Sequence, residues 1–316
     1  MAMVSTNELV VVGTGLHRPE SVLATASGVL FTSDSRGGVL EIRPDGSQHL
    51  SCESTLHPNG IALLKEGGFL VANLADEGGV WRIGVGGEVT PWLMELEGSP
   101  VGKVNFVMID LQGRTWVTIS SSTTGWDKYP VHNPTGRILM DDGKGMRVVA
   151  EGLNFTNECR VSTDGTQLYV NETFGRRLSR FGILPSGQLT ARETVATFNA
   201  PGDIPDGVTL DAEGGAWVVC VGSNRIYRVL PSGEPVLILD DSDPAIVAKL
   251  ESAFQDGTLD RPLLFSTRGQ RLLNITSIAF GGPDLRTAYI GSLGATSLVS
   301  FKSPVAGQVP VHWHWR

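Results

Sequence analysis

Polar residues recur along this 316-residue chain at positions where a buried apolar residue would be expected. Each stands at the start of an apolar stretch that has the alternation of a β-strand. The five residues are Glu20, Asn59, Asn105, Asn157 and Asp206, in the motifs RPES, HPNG, KVNF, FTNE and IPDG. Carboxylate and amide oxygens are the ligands that a hard divalent cation such as Ca²⁺ prefers. If the fold brings these residues together, the sequence predicts a metal site.

Turn formation is a simpler explanation for part of this set. Asn59 and Asp206 stand in Pro-Asn-Gly and Pro-Asp-Gly, which are favourable turn sequences. Glu20 and Asn105 stand in no such turn. Turn formation therefore explains single members better than it explains the set.

A repeated unit must position these residues. It consists of a short apolar strand, a turn of the type Asp/Glu-x-Gly, an aromatic-rich strand, a polar turn and a further strand. Six copies begin near Gly28, Gly60, Phe106, Cys159, Gly207 and Ile275. A spacing of about 40 to 50 residues is typical of a four-stranded propeller blade, and neighbouring blades must stack in a ring to bury their faces. The sequence predicts an all-β, six-bladed β-propeller as a single domain over residues 1–316, with the polar set at a central metal site.

Two insertions interrupt the repeat, at about 120–135 and 240–274. The first falls between the second and third strands of blade three, and the second falls between blades five and six. Both are therefore expected on the face where the innermost strands begin. Insertions of this length in a compact domain usually bind or cover a ligand, although surface decoration is the alternative.

The residues of these insertions favour a cover with an apolar surface. The second insertion is predicted to contain a helix that is capped by Asp243 or Ser242, has Pro244 at its first position and ends near Gln255. Side chains expected near the mouth of the funnel are Trp126, Tyr129, Leu263, Leu264 and Phe265.

Composition and charge exclude several classes of protein. The chain has 39 glycines and a formal net charge of −8, which fits many tight turns and argues against a nucleic-acid surface. We find no membrane-spanning stretch, no secretory leader and no zinc spacing of His and Cys. The three cysteines are odd in number and far apart, so a reducing, cytoplasmic location is predicted. The oligomeric state is left open.

Two segments resemble the gluconolactonase and senescence-marker-protein family of six-bladed propellers. They are IAFGGPDLRTAYIGS at 278–292 and IPDGVTLDAEGGAWV at 204–218, within a resemblance that extends over residues 20–301. The resemblance implies that Glu20, Asn157 and Asp206 are metal ligands and that Asn105 lies against the metal or its substrate. It implies one divalent cation, for which Ca²⁺ is favoured over Zn²⁺, Mg²⁺ or Mn²⁺.

The chain departs from the family pattern in three places. Asn157 is followed by Glu158 rather than glycine, and Asn105 is followed by Phe106 rather than aspartate. Lys103 stands where the animal lactonases have an arginine that grips sugar hydroxyls. Because an ammonium group does not reproduce the planar fork of a guanidinium, a lactone or ester with an apolar or aromatic part is predicted in place of a sugar lactone.

The predicted activity is metal-dependent hydrolysis of a small lactone. The ion would polarise the carbonyl group, and Asp206 would act as general base, with Asn105 and Lys103 as further catalytic groups. Substrate contacts are assigned to Lys103, Asn105, Trp126 and Tyr129. One alternative is phosphotriester or aryl ester hydrolysis at the same ion. The other is a non-catalytic propeller that binds a ligand and uses the metal structurally.

Overall fold

A computed structural model describes residues 3–122 and 129–315 of the chain. A 3-10 turn at Thr6–Glu8 comes first, and strand β1 (Val10–Val12) follows it. Blade one consists of β2 (Val22–Ala24), β3 (Leu30–Asp34), β4 (Gly38–Ile42) and β5 (Gln48–Leu50). Blade two consists of β6 (Pro58–Leu63), β7 (Phe69–Asn73), β8 (Val80–Ile83) and β9 (Val89–Leu93). A short hairpin leads to blade three and consists of β10 (Glu95–Leu96) and β11 (Ser99–Pro100).

Blades three to five continue the same up-and-down order. Blade three consists of β12 (Phe106–Ile109), β13 (Thr115–Ile119), β14 (Gly136–Asp141) and β15 (Arg147–Leu153). Blade four consists of β16 (Thr156–Val161), β17 (Gln167–Glu172), β18 (Arg177–Gly182) and β19 (Glu193–Thr197). Blade five consists of β20 (Pro205–Leu210), β21 (Ala216–Cys220), β22 (Arg225–Val229) and β23 (Pro235–Asp240).

The last blade combines both ends of the chain. Two helices precede it, α1 (Pro244–Gln255) and α2 (Arg261–Phe265). Its strands from the end of the chain are β24 (Ile275–Gly281), β25 (Thr287–Ser292) and β26 (Leu298–Lys302). The fourth strand is β1, which pairs antiparallel with β26. Sequence analysis did not predict this pairing, because it joins segments at opposite ends of the chain.

The first strand of every blade lies innermost. Each of these strands contacts the first strands of the blades before and after it, and β24 contacts β2, so the ring is closed. The predicted six-bladed propeller is therefore confirmed. Because the six inner strands begin on one face, side chains at their starts are brought near the axis.

The aspartate that begins the turn after the innermost strand has a structural role that blade five shows clearly. Asp211 Oδ1 accepts a hydrogen bond from the backbone N–H of Gly215 at 2.8 Å, and its Oδ2 accepts one from Trp217 Nε1 at 3.0 Å. The Trp217 ring is fully buried. Asp110 and Trp116 repeat this arrangement in blade three at 2.8 Å. The aspartate thus fixes the turn and orients the indole that fills the space between blades.

The helix predicted in the second insertion is confirmed. Helix α1 begins after Asp243, whose Oδ1 accepts hydrogen bonds from the backbone N–H groups of Ala245 and Ile246. Asp243 rather than Ser242 is the N-cap. Helix α2 was not predicted, because five residues are too few for a helical period to be visible in the sequence.

Both insertions meet over the starts of the inner strands. The backbone N–H of Tyr129 donates a hydrogen bond to the carbonyl of Leu259 at 3.0 Å, which joins the first insertion to the second. The rings of Phe155 and Phe174 lie 4.6 Å apart, and the Tyr129 ring packs 5.2 Å from Phe174. We use the name apolar cap for Tyr129, Phe155, Phe174, Leu264 and Phe265, which belong to or pack against one buried cluster.

In the described residues, neither α1 nor α2 has both the length and the apolar character needed to cross a bilayer.

Candidate functional site

Two cavities lie between the inner strands, one near each end of these strands. A cavity of about 70 Å³ lies where the strands begin, beneath the apolar cap. A cavity of about 100 Å³ lies where the strands end, and the C-terminal residues Gln308–His312 form one wall of it. The wall of the larger cavity is mostly apolar. The smaller one contains the polar residues that the sequence singled out, so the candidate site lies there.

The structure brings the five polar residues together. All five line the smaller cavity and are buried: Glu20, Asn59, Asn105, Asn157 and Asp206. Blade six has Thr276 at the equivalent place, but its hydroxyl donates a hydrogen bond to the backbone carbonyl of Glu20 and does not line the cavity. The ring of inner-strand starts therefore supplies two carboxylates and three amides.

Three of these side chains have a buried oxygen that accepts no hydrogen bond in the described part of the chain. The atoms are Glu20 Oε2, Asn105 Oδ1 and Asn157 Oδ1. A buried polar atom without a partner costs free energy, so each such atom in a native protein requires an explanation. Oxygens of this kind around one cavity suit an oxygen-coordinated cation.

Asn59 differs from the other amides because both its side-chain oxygen and its side-chain nitrogen make hydrogen bonds. Its Oδ1 accepts from Arg18 Nη2 at 2.7 Å, and its Nδ2 donates to the backbone carbonyl of Asn105 at 2.9 Å. We therefore assign Asn59 to positioning its neighbours rather than to binding an ion.

The raised pKa values of the two carboxylates in the cavity also favour a bound cation. Burial raises the pKa of Glu20 to about 8, and the charge of Glu158 adds to this while Arg18 opposes it. Burial also raises the pKa of Asp206 well above its usual range, with further contributions from the charges of Glu20 and Glu158. A divalent cation would remove the repulsion and compensate the lost hydration. In residues 3–122 and 129–315 no three His, Cys, Asp or Glu side chains cluster to bind a metal, so any ion here would need amide ligands.

Comparison with known proteins identifies the family. The model described as "SMP-30/Gluconolactonase/LRE-like region" matches residues 18–240, which are more than half of the chain. The chain belongs to this family. The 6-deoxy-6-sulfogluconolactonase of Pseudomonas putida is 27% identical over 235 residues, which cover 73% of this chain and 67% of that protein.

Solved structures show the same fold at low identity. A gluconolactonase from Xanthomonas campestris has a TM-score of 0.69 and 17% identity, covering 95% of this chain and 89% of that one. A calcium-binding regucalcin from Agrobacterium tumefaciens has a TM-score of 0.70 and 18% identity, covering 94% of each chain. The SMP-30/gluconolactonase fold thus extends over nearly the whole chain.

Two departures from the SMP-30/gluconolactonase pattern are linked in the structure. Arg160 Nη2 donates to Glu158 Oε2 at 3.1 Å, and the Arg160 guanidinium lies 4.7 Å from the centre of the Phe106 ring. Glu158 and Phe106 therefore share Arg160 as a partner, and both Phe106 and Arg160 line the larger cavity rather than the one that holds Asn157. A Cβ on Gly60 would lie 2.5 Å from the Phe106 ring, so Phe106 also requires glycine in the HPNG motif.

The third departure, Lys103, is not placed in the cavity. Its Nζ pairs with Asp76 at 3.0 Å on the surface, and Lys103 is absent from the cavity wall. Lys103 belongs to the loop before β12, from which its side chain reaches the exposed loop between β7 and β8. The structure therefore places Lys103 outside the candidate site, and its catalytic and substrate-binding roles stay predictions.

The residues predicted from the insertions divide into three groups. Tyr129, Leu264 and Phe265 line the cavity as part of the apolar cap, and Leu263 packs against the same cluster. Burial raises the pKa of Tyr129 to about 12, so its phenol is neutral at physiological pH. Trp126 lies outside the described residues.

Sequence reasoning missed two arginines that line the cavity, Arg18 and Arg261. Arg18 stands two residues before Glu20 and has a left-handed backbone with φ +54°. Arg261 begins α2. The only sequence signal was the proximity of Arg18 to a candidate ligand, and nothing indicated Arg261.

Proposed function

We propose that this chain is a divalent-cation-dependent lactonase, with Ca²⁺ as the favoured ion. One observation supports this most strongly: Glu20, Asn105 and Asn157 each have a buried oxygen that finds no hydrogen-bond partner among the described residues, and these side chains surround one cavity, which Asp206 also lines. Every candidate ligand is oxygen, which favours Ca²⁺ over Zn²⁺. The family of the chain and the name of its Pseudomonas putida relative favour a lactone substrate. The calcium-binding protein of the same fold favours the ion.

The residues have separate roles in this proposal. Glu20, Asn157 and Asp206, which line the cavity, would hold the ion, and Asn105 would lie against the ion or the substrate. When bound, a divalent cation supplies Lewis acidity toward the carbonyl group of the lactone. Asp206 accepts a proton from the attacking water through a carboxylate oxygen that is not a ligand, since an oxygen bound to the cation is a weak base. The amide of Asn105 orients the lactone ring.

The wall of the cavity determines which lactone fits. The apolar cap covers the polar floor with four aromatic rings, and such walls favour ligands with an apolar or aromatic part. The relatives named for sugar lactones provide the contrasting case. We infer that dihydrocoumarin, which joins a six-membered lactone to an aromatic ring, is a better substrate than D-glucono-δ-lactone.

A lactone panel with metal-stripped and Ca²⁺-restored protein tests the proposal. We expect hydrolysis only after restoration, and a higher kcat/KM for dihydrocoumarin than for D-glucono-δ-lactone. Activity that is the same with and without the ion would contradict the metal role. A preference for the sugar lactone that Leu264→Ala and Phe265→Ala leave unchanged would contradict the role of the cap.

The same panel separates the alternatives, because the oxygen ligand set does not select carbon over phosphorus. An aryl ester and a phosphotriester belong in it for this reason. Turnover of these two in the absence of lactone turnover would identify an esterase of another class. Tight Ca²⁺ binding with no turnover of any compound would identify a ligand-binding propeller with a structural ion.

A further inference from the structure

The cavity contains two guanidinium groups in addition to its carboxylates. Arg18 and Arg261 both line it, on different parts of the chain. We propose that these two arginines bind an oxyanion substituent of the substrate, such as a carboxylate, so that the preferred lactone is negatively charged. This inference rests on the proposed lactonase function and narrows the substrate class.

Arg261 has a charge that no described acidic group neutralises. In residues 3–122 and 129–315 its guanidinium forms no ion pair, and it stacks 4.9 Å from the centre of the Phe265 ring of the apolar cap. The acid next to it, Asp260, uses its Oδ1 to accept the backbone N–H of Leu263 and so caps α2. The Phe265 ring thus holds the Arg261 guanidinium at the cavity while its donors stay available.

Arg18 is held in place by its neighbours and keeps one donor free. Its Nη1 donates to the backbone carbonyl of Pro58 at 2.9 Å, and its Nη2 donates to Asn59 Oδ1 at 2.7 Å. Its Nε is buried and has no partner in the described residues. A left-handed backbone is strained for a non-glycine residue, and such strain is concentrated at functional sites.

The charges around the cavity leave these arginines uncompensated once an ion is bound. Glu20 and Asp206 would together neutralise a divalent cation, and Glu158 pairs with Arg160. An oxyanion on the substrate would then be the partner of Arg18 and Arg261. Neighbouring His57 reports this positive environment, since burial and the charges of Arg18 and Arg261 lower its pKa to about 4.

Arg261 differs in origin from the groups that act on the lactone ring, whereas Arg18 stands two residues before the proposed ligand Glu20. Arg261 comes from the second insertion, together with part of the apolar cap, whereas the proposed ligands come from the starts of the inner strands. A substituent remote from the reacting carbonyl can therefore reach Arg261. Recognition of this kind predicts that loss of Arg261 lowers kcat/KM for charged substrates much more than for neutral ones.

A matched pair of substrates tests the inference. We would compare dihydrocoumarin with a carboxylate on its aromatic ring and the same compound with a carboxamide, which is nearly identical in shape and neutral. Wild type should prefer the carboxylate about tenfold or more, as expected for hydrogen bonds to a charged group. Arg261→Ala should remove this preference, because kcat/KM should fall about tenfold more for the carboxylate than for the carboxamide. Arg261→Lys should restore part of it.

Arg268→Ala provides the matched control, because Arg268 is exposed in the same insertion and has the same charge. It should leave the preference intact. Equal losses for both substrates in Arg261→Ala would overturn the inference, since Arg261 would then act on the reaction itself. So would a wild-type enzyme that shows no preference for the carboxylate.

A binding measurement distinguishes failure of this inference from failure of the lactonase proposal. Chroman carboxylate and chroman carboxamide, which have a cyclic ether and cannot be hydrolysed, would be titrated calorimetrically into Ca²⁺-loaded protein. Carboxylate binding that weakens about tenfold in Arg261→Ala supports the anion site even if no lactone is turned over. Lactone turnover with no Arg261-dependent binding overturns the anion site and leaves the lactonase proposal standing.

Discussion

Asp206 and Asp211 lie at the two ends of the same strand, β20, and have opposite environments. Asp211 accepts hydrogen bonds from Gly215, Trp217 and Arg228, the last at 2.7 Å. Burial alone would raise its pKa, but the hydrogen bonds from these groups hold that pKa below its usual range. Among the described residues Asp206 has only the Asn157 side chain to lower its pKa by a hydrogen bond, and burial with the charges of Glu20 and Glu158 raises that pKa instead.

The contrast separates structural from functional carboxylates. A buried carboxylate whose hydrogen bonds are satisfied fixes a turn and orients a core side chain. A buried carboxylate that is left short of donors is costly, and a protein retains it where a ligand supplies the missing partner. Identical residue types in one strand therefore have different roles, which substitutions can test.

The largest expected effect is on catalysis. Asp206→Ala should lower hydrolysis at least about 10³-fold, because it removes both a proposed ligand and the proposed base. Metal-stripped Asp206→Ala should be as stable as wild type or more so, since a poorly hydrated charge is removed. Steady-state kinetics and thermal unfolding in EDTA would measure these effects. Wild-type turnover in the variant would refute both roles of Asp206.

The second prediction concerns stability at the other end of the strand. Asp211→Ala should lower the free energy of unfolding by about 3 kcal/mol, because buried Arg228 loses its main partner. Glu213 still pairs with Arg228 at 2.8 Å, which limits the loss. Urea unfolding measures the change, and Ca²⁺ affinity should stay within twofold of wild type. A folded Asp211→Ala variant that no longer binds Ca²⁺ would contradict the assignment of Asp211 to a purely structural role.

The third prediction concerns pH in metal-stripped protein. The pKa of Glu20 is raised from 4.5 to about 8, so its contribution to stability is present below about pH 4.5 and is lost as the pH rises toward 8. Asp211 has the opposite sign, because its lowered pKa gives stability that is lost only in acid. Glu20→Gln should therefore flatten the decline between pH 5 and 8, as read from urea midpoints.

Two neighbouring charges act on the pKa of Glu20 in opposite directions. Arg18 opposes the raised pKa, whereas Glu158 promotes it. Adding Ca²⁺ to wild type should reverse the trend, because ionised carboxylates bind the ion. A wild-type protein whose metal-stripped stability is the same at pH 5 and pH 8 would contradict the environment described for Glu20.

The smallest effect is expected for Lys103. Lys103→Met should change kcat/KM less than twofold, because the lysine pairs with exposed Asp76 outside the cavity and exposed ion pairs contribute little. The matched comparison is Arg261→Ala, which removes one positive charge inside the cavity. A tenfold loss in Lys103→Met would show that the side chain moves into the cavity when substrate binds.

Much of the architecture followed from the sequence because it is encoded locally. Glycines at turns and alternation in strands recur in every blade, so the repeat predicted six blades and the face on which Asn157 and Asp206 lie. The N-cap at Asp243 with Pro244 was equally local. Family resemblance then identified which of the repeated polar positions are candidate ligands.

Long-range contacts were decided only by the tertiary structure. Closure of blade six by β1 joins the two ends of the chain, and no local pattern specifies its partner. The pairing of Lys103 with Asp76 and the presence of Arg261 in the cavity depend on where loops from separate blades meet. Sequence periodicity determines which residues reach the axis, whereas the packing of loops against one another determines which charges surround them.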